Sequence, residues 1–346
     1  MKIAFLDRDG TLIYEPPDTK RIDSIEKLQI LPGVFEGLKK LRAQGYRLVM
    51  ISNQDGVGTR AFPKKNFEKP QKEFLKRLAR EGIEFYKIFI CPHIQKDNCG
   101  CRKPEIGLVE SFIKKINLDK ELSLMVGDRE TDEAFGGNIG IKTFRMETNS
   151  RFPRIGAASR KTSETSISIA ANLDGNGKFQ IDTGLNFFNH MLEQFSKHSL
   201  IDLFIKARGD LQIDEHHTVE DTALVLGEAL NNGLGARKGI RRYGFLLPMD
   251  DTLAEVAMDL GGRQYLVFNA DFKREKVGDL PTEMVEHFFK SLSDALRANI
   301  HISVRYGKNE HHKIEAIFKA FGKTMRQAAE KDPRLKDTLP STKGIL

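Results

Sequence analysis

The chain has 346 residues, 40% hydrophobic and 30% charged, a globular composition that excludes a wholly disordered or low-complexity protein. Its net charge of +7 comes from 55 Lys+Arg against 48 Asp+Glu, too mild an excess to mark a nucleic-acid binder. The length allows two domains.

The first part alternates strand-like and helical stretches. KIAFLD (2–7), YRLVMIS (46–52), FYKIFIC (85–91) and LSLMVGD (122–128) read as strands. Residues 33–43, with Val34, Leu38 and Leu41 on one face, read as a helix, as do 68–82 and 105–116. Such alternation predicts an α/β fold, a parallel sheet with helices on both faces. The stretch 147–160 is polar and carries Pro, Gly and Ser, as a linker does. It divides an expected domain 1–155 from an expected domain 156–346. Beyond it, 165–174 and 178–184 alternate as strands around Asp174-Gly175-Asn176-Gly177, which predicts a hairpin. The second domain is therefore expected to be α+β.

This second half repeats itself. His216-His217-Thr218-Val219-Glu220 recurs as His311-His312-Lys313-Ile314-Glu315, an offset of 311 − 216 = 95. A His-bearing helix (His190, then His287) and a strand precede each copy, so two duplicated half-repeats are expected.

Cysteine and histidine are unevenly spread. All 3 Cys lie between positions 91 and 101, and eight of the 9 His follow residue 189. An odd, clustered Cys count argues against a secreted disulfide framework and for a reducing compartment. The first residues lack the apolar core of a signal peptide. No apolar run approaches the ~18 residues of a membrane helix. The expectation is a cytoplasmic protein without membrane or nucleic-acid partners. Cys91, His93, Cys99 and Cys101 form a complete tetrahedral set for a structural Zn²⁺.

Two further constellations carry chemistry. Asp7 and Asp9 follow the first strand, Ser52 and Asn53 the second, Lys103 the third, and Asp128 the fourth. Ligands bind at such strand ends in open α/β sheets. Paired carboxylates hold Mg²⁺, and a carboxylate can attack phosphorus. In the second half, His216 and Glu220 share a helix face. His216 and His217 lie ~100° apart around the helix and suit two different ions. With His190, His287, His311, His312 and Glu315, the set suffices for two borderline divalent ions such as Mn²⁺.

The Asp7-Arg8-Asp9-Gly10-Thr11 constellation resembles the haloacid-dehalogenase superfamily of phosphatases, over about residues 1–145. The resemblance implies a doubly wound parallel sheet. It implies Asp7 as nucleophile, Asp9 as general acid/base, and Asp7, Asp9 (through its carbonyl) and Asp128 as Mg²⁺ ligands. Ser52, Asn53 and Lys103 would bind phosphate, and Asp132 belongs less clearly to the acidic loop. The cysteine loop is similar to those of histidinol-phosphatases and heptose-bisphosphate phosphatases, and does not choose between them.

Residues 158–346 resemble imidazoleglycerol-phosphate dehydratases through Arg160–Thr165, Asn186–Leu192, Asp214–Asp221, Gly307–Glu315 and Pro340–Gly344. The resemblance implies two Mn²⁺ ions and Glu164 as acid/base. It implies substrate and phosphate ligands at Gln194, Arg242, Arg263, Ser341 and Lys343. Asn189 departs from the usual Asp. That family forms a 24-subunit shell with metal sites between subunits, which implies a homo-oligomer. Together the halves resemble the bifunctional enzymes of bacterial histidine biosynthesis, acting on small phosphorylated imidazole substrates. The alternatives are another phosphate ester, such as heptose bisphosphate, for the first domain, or a metal-binding protein without turnover.

Overall fold

The computed structural model describes residues 1–335 and 338–344, with the side chains of 245–247 outside the description. Two compact units divide the chain, Met1–Pro153 and Arg154–Leu346.

The first unit runs β1 (Ile3–Leu6), α1 (Val34–Ala43), β2 (Arg47–Asn53), α2 (Lys64–Arg80), β3 (Lys87–Cys91), α3 (Glu110–Lys115), β4 (Leu124–Gly127), α4 (Glu130–Ile139) and β5 (Lys142–Arg145). Its five strands are parallel, in the order β3-β2-β1-β4-β5. All four residues of β1 are buried, because helices cover both faces of a parallel sheet. The helix α1 buries Val34, Leu38 and Leu41, the stripe its spacing predicts. The strand order reverses between β1 and β4, the switch point where such sheets bind ligands. The sequence reading stopped short of α4 and β5, since a four-residue edge strand carries too short a pattern to read.

The second unit runs β6 (Ile155–Lys161), β7 (Thr165–Asn172), β8 (Phe179–Asp182), α5 (Asn186–Ser199), β9 (Asp202–Gly209) and α6 (His216–Leu234). It continues with β10 (Tyr243–Met249), β11 (Thr252–Asp259), β12 (Tyr265–Asn269), a small hairpin β13 (Lys276–Val277) and β14 (Leu280–Pro281), α7 (Glu283–Leu296), β15 (Asn299–Tyr306) and α8 (Glu310–Ala329). The two sheets are ordered β6-β7-β9-β8 and β10-β11-β15-β12. Counted within each half, both read first, second, fourth, third, so the duplication extends from sequence to topology. Helices of the two halves pack in pairs, α5 on α8 and α6 on α7, around one shared hydrophobic core.

Two expectations fail here. The linker-like stretch is largely strand β6. Its small residues serve packing: a Cβ on Gly156 would lie 1.9 Å from the Ala229 carbonyl oxygen of α6. The 165–184 hairpin does not form. Strand β7 pairs antiparallel with β6 and β9, while β8 pairs parallel with β9 on its other side. The carboxylate of Asp202, at the start of β9, accepts from the Asn176 and Lys178 amides at 2.9 and 3.0 Å. The turn therefore closes on β9 instead of on itself.

Candidate functional site

At the carboxyl edge of the first sheet, β1 delivers Asp7 and Asp9, β2 delivers Ser52 and Asn53, and β4 delivers Asp128. Lys103 enters from the loop after β3. Its Nζ donates to Asp7 Oδ1 and Asp132 Oδ1, both at 2.5 Å. Asp7, Asp128 and Asp132 are buried, with carboxylate oxygens within 4.8 Å of one another. Burial pushes the Asp7 carboxyl well above its ordinary value, against the pull of Lys103, and the neighbouring Asp132 and Asp128 add to the rise. Burial opposes the Lys103 charge, but Asp7 and Asp132 outweigh it and raise that ammonium. Three buried carboxylates are thus short of positive charge, which fits an oxygen-ligated divalent cation.

The supporting contacts are specific. Asp128 accepts from Thr148 at 2.7 Å and from Thr11 at 3.3 Å. Gly10, at φ 77, is required by backbone and space together, since a Cβ there would come within 2.5 Å of Asp128 Oδ2. Asn53 grips the Lys103 backbone with both ends of its amide, accepting at 3.0 Å and donating at 3.1 Å. Asp9 accepts from Arg8 at 2.6 Å and from Gln54. Asp7, Asp9, Ser52, Asn53 and Lys103 line one cavity of about 190 Å³. Asp132 emerges as the second carboxylate on Lys103. Its signal was a third acid four residues after Asp128.

Cys91, His93, Cys99 and Cys101 converge at the end of β3. The Cys91–Cys101, Cys99–Cys101 and Cys91–Cys99 sulfurs lie 3.3, 3.3 and 3.7 Å apart, and His93 Nδ1 is 3.1 Å from the Cys101 sulfur. Ligands ~2.3 Å from a tetrahedral centre would stand about 3.8 Å apart. The donor chemistry and the spacing fit a thiolate-rich structural metal. Arg102, beside this loop, pairs with Asp55 and donates to the His93 carbonyl, so the loop and Lys103 share one anchor.

In the second unit the cross-packed helices build two matching clusters. His190 of α5 meets His311 and Glu315 of α8, and His287 of α7 meets His216 and Glu220 of α6. The His311 and His190 Nε2 atoms lie 3.2 and 4.0 Å from Glu315. The His287 and His216 Nε2 atoms lie 3.4 and 3.8 Å from Glu220. Each cluster offers two imidazoles and one carboxylate, a donor set suited to a borderline divalent ion. Burial raises Glu315, but Lys319, His190 and His311 together hold it below the ordinary value.

His217 and His312 stand outside both clusters. His217 Nδ1 lies 3.1 Å from Asp210, which raises the imidazole above its usual value. His312 Nδ1 lies 2.6 Å from Asp251. Such a contact fixes the ring and leaves Nε2 as the free ligand atom. Asp210 follows β9 and Asp251 sits between β10 and β11, so the 95-residue offset does not relate them and the repeat could not reveal them. Glu164, in the β6–β7 loop, lies 3.9 Å from His217 Nε2. Gln194 lies on α5, four residues after His190. Asn189, where an Asp was usual, accepts from the Thr183 amide and hydroxyl at 2.9 and 2.7 Å, so it holds the start of α5.

Arg242, Arg263, Ser341 and Lys343 line one cavity of about 790 Å³. Asp259 pairs with Arg242 through both oxygens, which orients the guanidinium. No member of either histidine cluster lines this cavity.

These features define a two-unit enzyme, a phosphatase-type sheet joined to a duplicated histidine-cluster fold. The family described as imidazoleglycerol-phosphate dehydratase matches residues 183–325. The family described as polynucleotide kinase 3 phosphatase matches residues 2–174. The histidine biosynthesis bifunctional protein HisB of Actinobacillus pleuropneumoniae serotype 3 is 47% identical, over 99% of this chain and 98% of that protein. That of Legionella pneumophila strain Lens is 45% identical, over 100% and 99%. Among solved structures, imidazoleglycerol-phosphate dehydratase from Staphylococcus aureus is 40% identical over 51% of this chain and 99% of its own, with a TM-score of 0.47. D,D-heptose 1,7-bisphosphate phosphatase from B. bronchiseptica is 26% identical over 44% and 83%, with a TM-score of 0.40. The chain belongs to the bifunctional HisB family of histidine-biosynthesis enzymes.

Proposed function

We propose that the first unit hydrolyses L-histidinol phosphate and that the second dehydrates imidazoleglycerol phosphate to imidazole acetol phosphate. The observation that carries this is a full-length likeness to bifunctional histidine-biosynthesis proteins, with both acidic and histidine constellations intact. Fusion to a dehydratase of the same pathway favours histidinol phosphate over a heptose ester. Phosphate release from each ester by the purified protein tests this. Faster release from the heptose ester overturns it.

In the first unit, the Asp7 carboxylate attacks phosphorus and takes the phosphoryl group as an aspartyl-phosphate. Asp9 gives a proton to the departing alkoxide and then takes one from the attacking water. Lys103 and the Ser52 hydroxyl face the phosphoryl oxygens, and Asn53 positions Lys103 through its backbone. Mg²⁺, held by Asp7, Asp128 and the Asp9 carbonyl, would supply charge neutralisation at those oxygens.

Asp132 shares the Lys103 ammonium with Asp7. Asp132→Asn is expected to lower phosphatase kcat about 10–100-fold while dehydration continues unchanged; assaying both activities on one sample checks it. Mg²⁺ must also displace the proton that burial keeps on Asp7. Its affinity is therefore expected to rise with pH, by up to about tenfold per unit, until Asp7 is ionised. Binding titrations at several pH values read this directly, and a flat profile refutes it.

In the second unit, the two clusters would hold a pair of Mn²⁺ ions, which supply Lewis acidity toward the substrate imidazole. Glu164 moves the proton, with Glu220 and Glu315 as ligands. Arg242, Arg263, Ser341 and Lys343 hold the phosphate. Each cluster has three ligands from this chain, and the free Nε2 atoms of His217 and His312 supply the fourth to neighbouring copies. This makes the working protein a homo-oligomer, assembled as a 24-subunit shell. In the first unit Zn²⁺ would close the Cys91 loop, and its reduced thiols fit a cytoplasmic setting.

A further inference from the structure

The cavity bounded by Arg242, Arg263, Ser341 and Lys343 has a further charged wall, Arg297. The argument below rests on reading that cavity as the phosphate end of the dehydratase site.

Its described lining holds four cations and no carboxylate. Asp259 pairs with Arg242 from outside that lining. Among the described residues, Arg263, Arg297 and Lys343 have no ion-pair partner. Like charges around one cavity repel unless an anion sits among them. The field is already felt nearby: burial, and then the Arg297 charge, lower the Arg237 guanidinium.

The duplication separates what the fold demands at this position from what it leaves free. Arg297 caps the end of α7 with a left-handed φ of 56. Leu200 caps the end of α5 with φ 59. The left-handed turn therefore belongs to both repeats, and glycine would serve it best. A cation gains something from the helix end in its own right, yet the first repeat does without one. The Arg appears where the helix end opens on the cation-lined cavity.

We propose that Arg297 is a further anion-binding residue of the dehydratase site, contacting the substrate phosphate together with Arg263 and Lys343. Arg297→Gly in the full-length protein tests it, since glycine suits the left-handed backbone and keeps the fold. The KM for imidazoleglycerol phosphate and the inhibition constant for inorganic phosphate are both expected to rise at least about fivefold, with a smaller change in kcat. Arg297→Lys, which keeps the charge, should fall between the two. Phosphate inhibition within twofold of wild type in Arg297→Gly overturns the inference, and a change confined to Tm would assign Arg297 to the helix end alone. Arg263→Ala separates the two levels of the argument. If it weakens phosphate inhibition while Arg297→Gly does not, only the Arg297 inference fails. If phosphate does not inhibit the wild type, the cavity reading fails with it.

Discussion

Replacing Asp7 by Asn is expected to abolish phosphate release from histidinol phosphate, by at least about 10³-fold, and to leave dehydration of imidazoleglycerol phosphate unchanged. The amide is isosteric but cannot form the phosphoryl ester. It still accepts from Lys103, whose second partner Asp132 remains, so the site keeps its shape. Folding should be preserved for a stated reason. The Asp7 carboxyl sits above its ordinary value because burial disfavours its charge. Its stability contribution is fully present below the unfolded carboxylate value and is lost as pH rises through the raised folded value. At neutral pH without metal, the charged form is therefore a burden, and Asn removes it. Metal-free Asp7→Asn should unfold at a temperature equal to or above wild type at neutral pH, and the difference should shrink in acid. Both activities and a melting curve on one preparation check this. Residual phosphatase within tenfold of wild type would move the nucleophile elsewhere.

Much of both sites could be read from the sequence because chemistry and local pattern coincide there. Strand ends carrying acids, a cluster holding every cysteine, and a doubled His-His-x-x-Glu motif each encode a site within a few residues. The structure brings those residues together as their spacing implied. What escaped the reading depends on contacts between distant segments. The expected hairpin at Asp174–Gly177 failed because Asp202, 26 residues beyond Asn176, captures the turn amides. The stretch at 155–161 looked like a linker because small residues mark both linkers and close helix contacts. Only the approach of α6 to Gly156 distinguishes them. Arg297 is a single arginine at a helix end, and its cavity is assembled from segments at 242–263 and 339–343. No local periodicity reports such a site.

The second large effect concerns how many copies build one metal site. His216→Ala removes a cluster ligand, and His217→Ala removes an imidazole that no cluster in its own chain uses. If each chain is self-sufficient, the second substitution should be mild. If His217 completes a neighbour's set, both should lower dehydratase kcat by at least about 10²-fold, with phosphatase activity retained as an internal standard. Mixing the two inactive proteins then decides the matter. Subunits dissociated by chelation and reassembled together with Mn²⁺ should regain activity, because a His217→Ala chain still offers His216 and a His216→Ala chain still offers His217. For random mixing, a given interface receives both intact ligands in about a quarter of cases, so recovery to about one quarter of wild type is expected. Neither protein reassembled alone should recover. The geometry favours this outcome: Asp210 holds His217 at Nδ1, and the cluster of His216, Glu220 and His287 contains no fourth ligand from the described residues of its own chain. Absence of recovery in assemblies shown to contain both chains would place the complete site within one subunit.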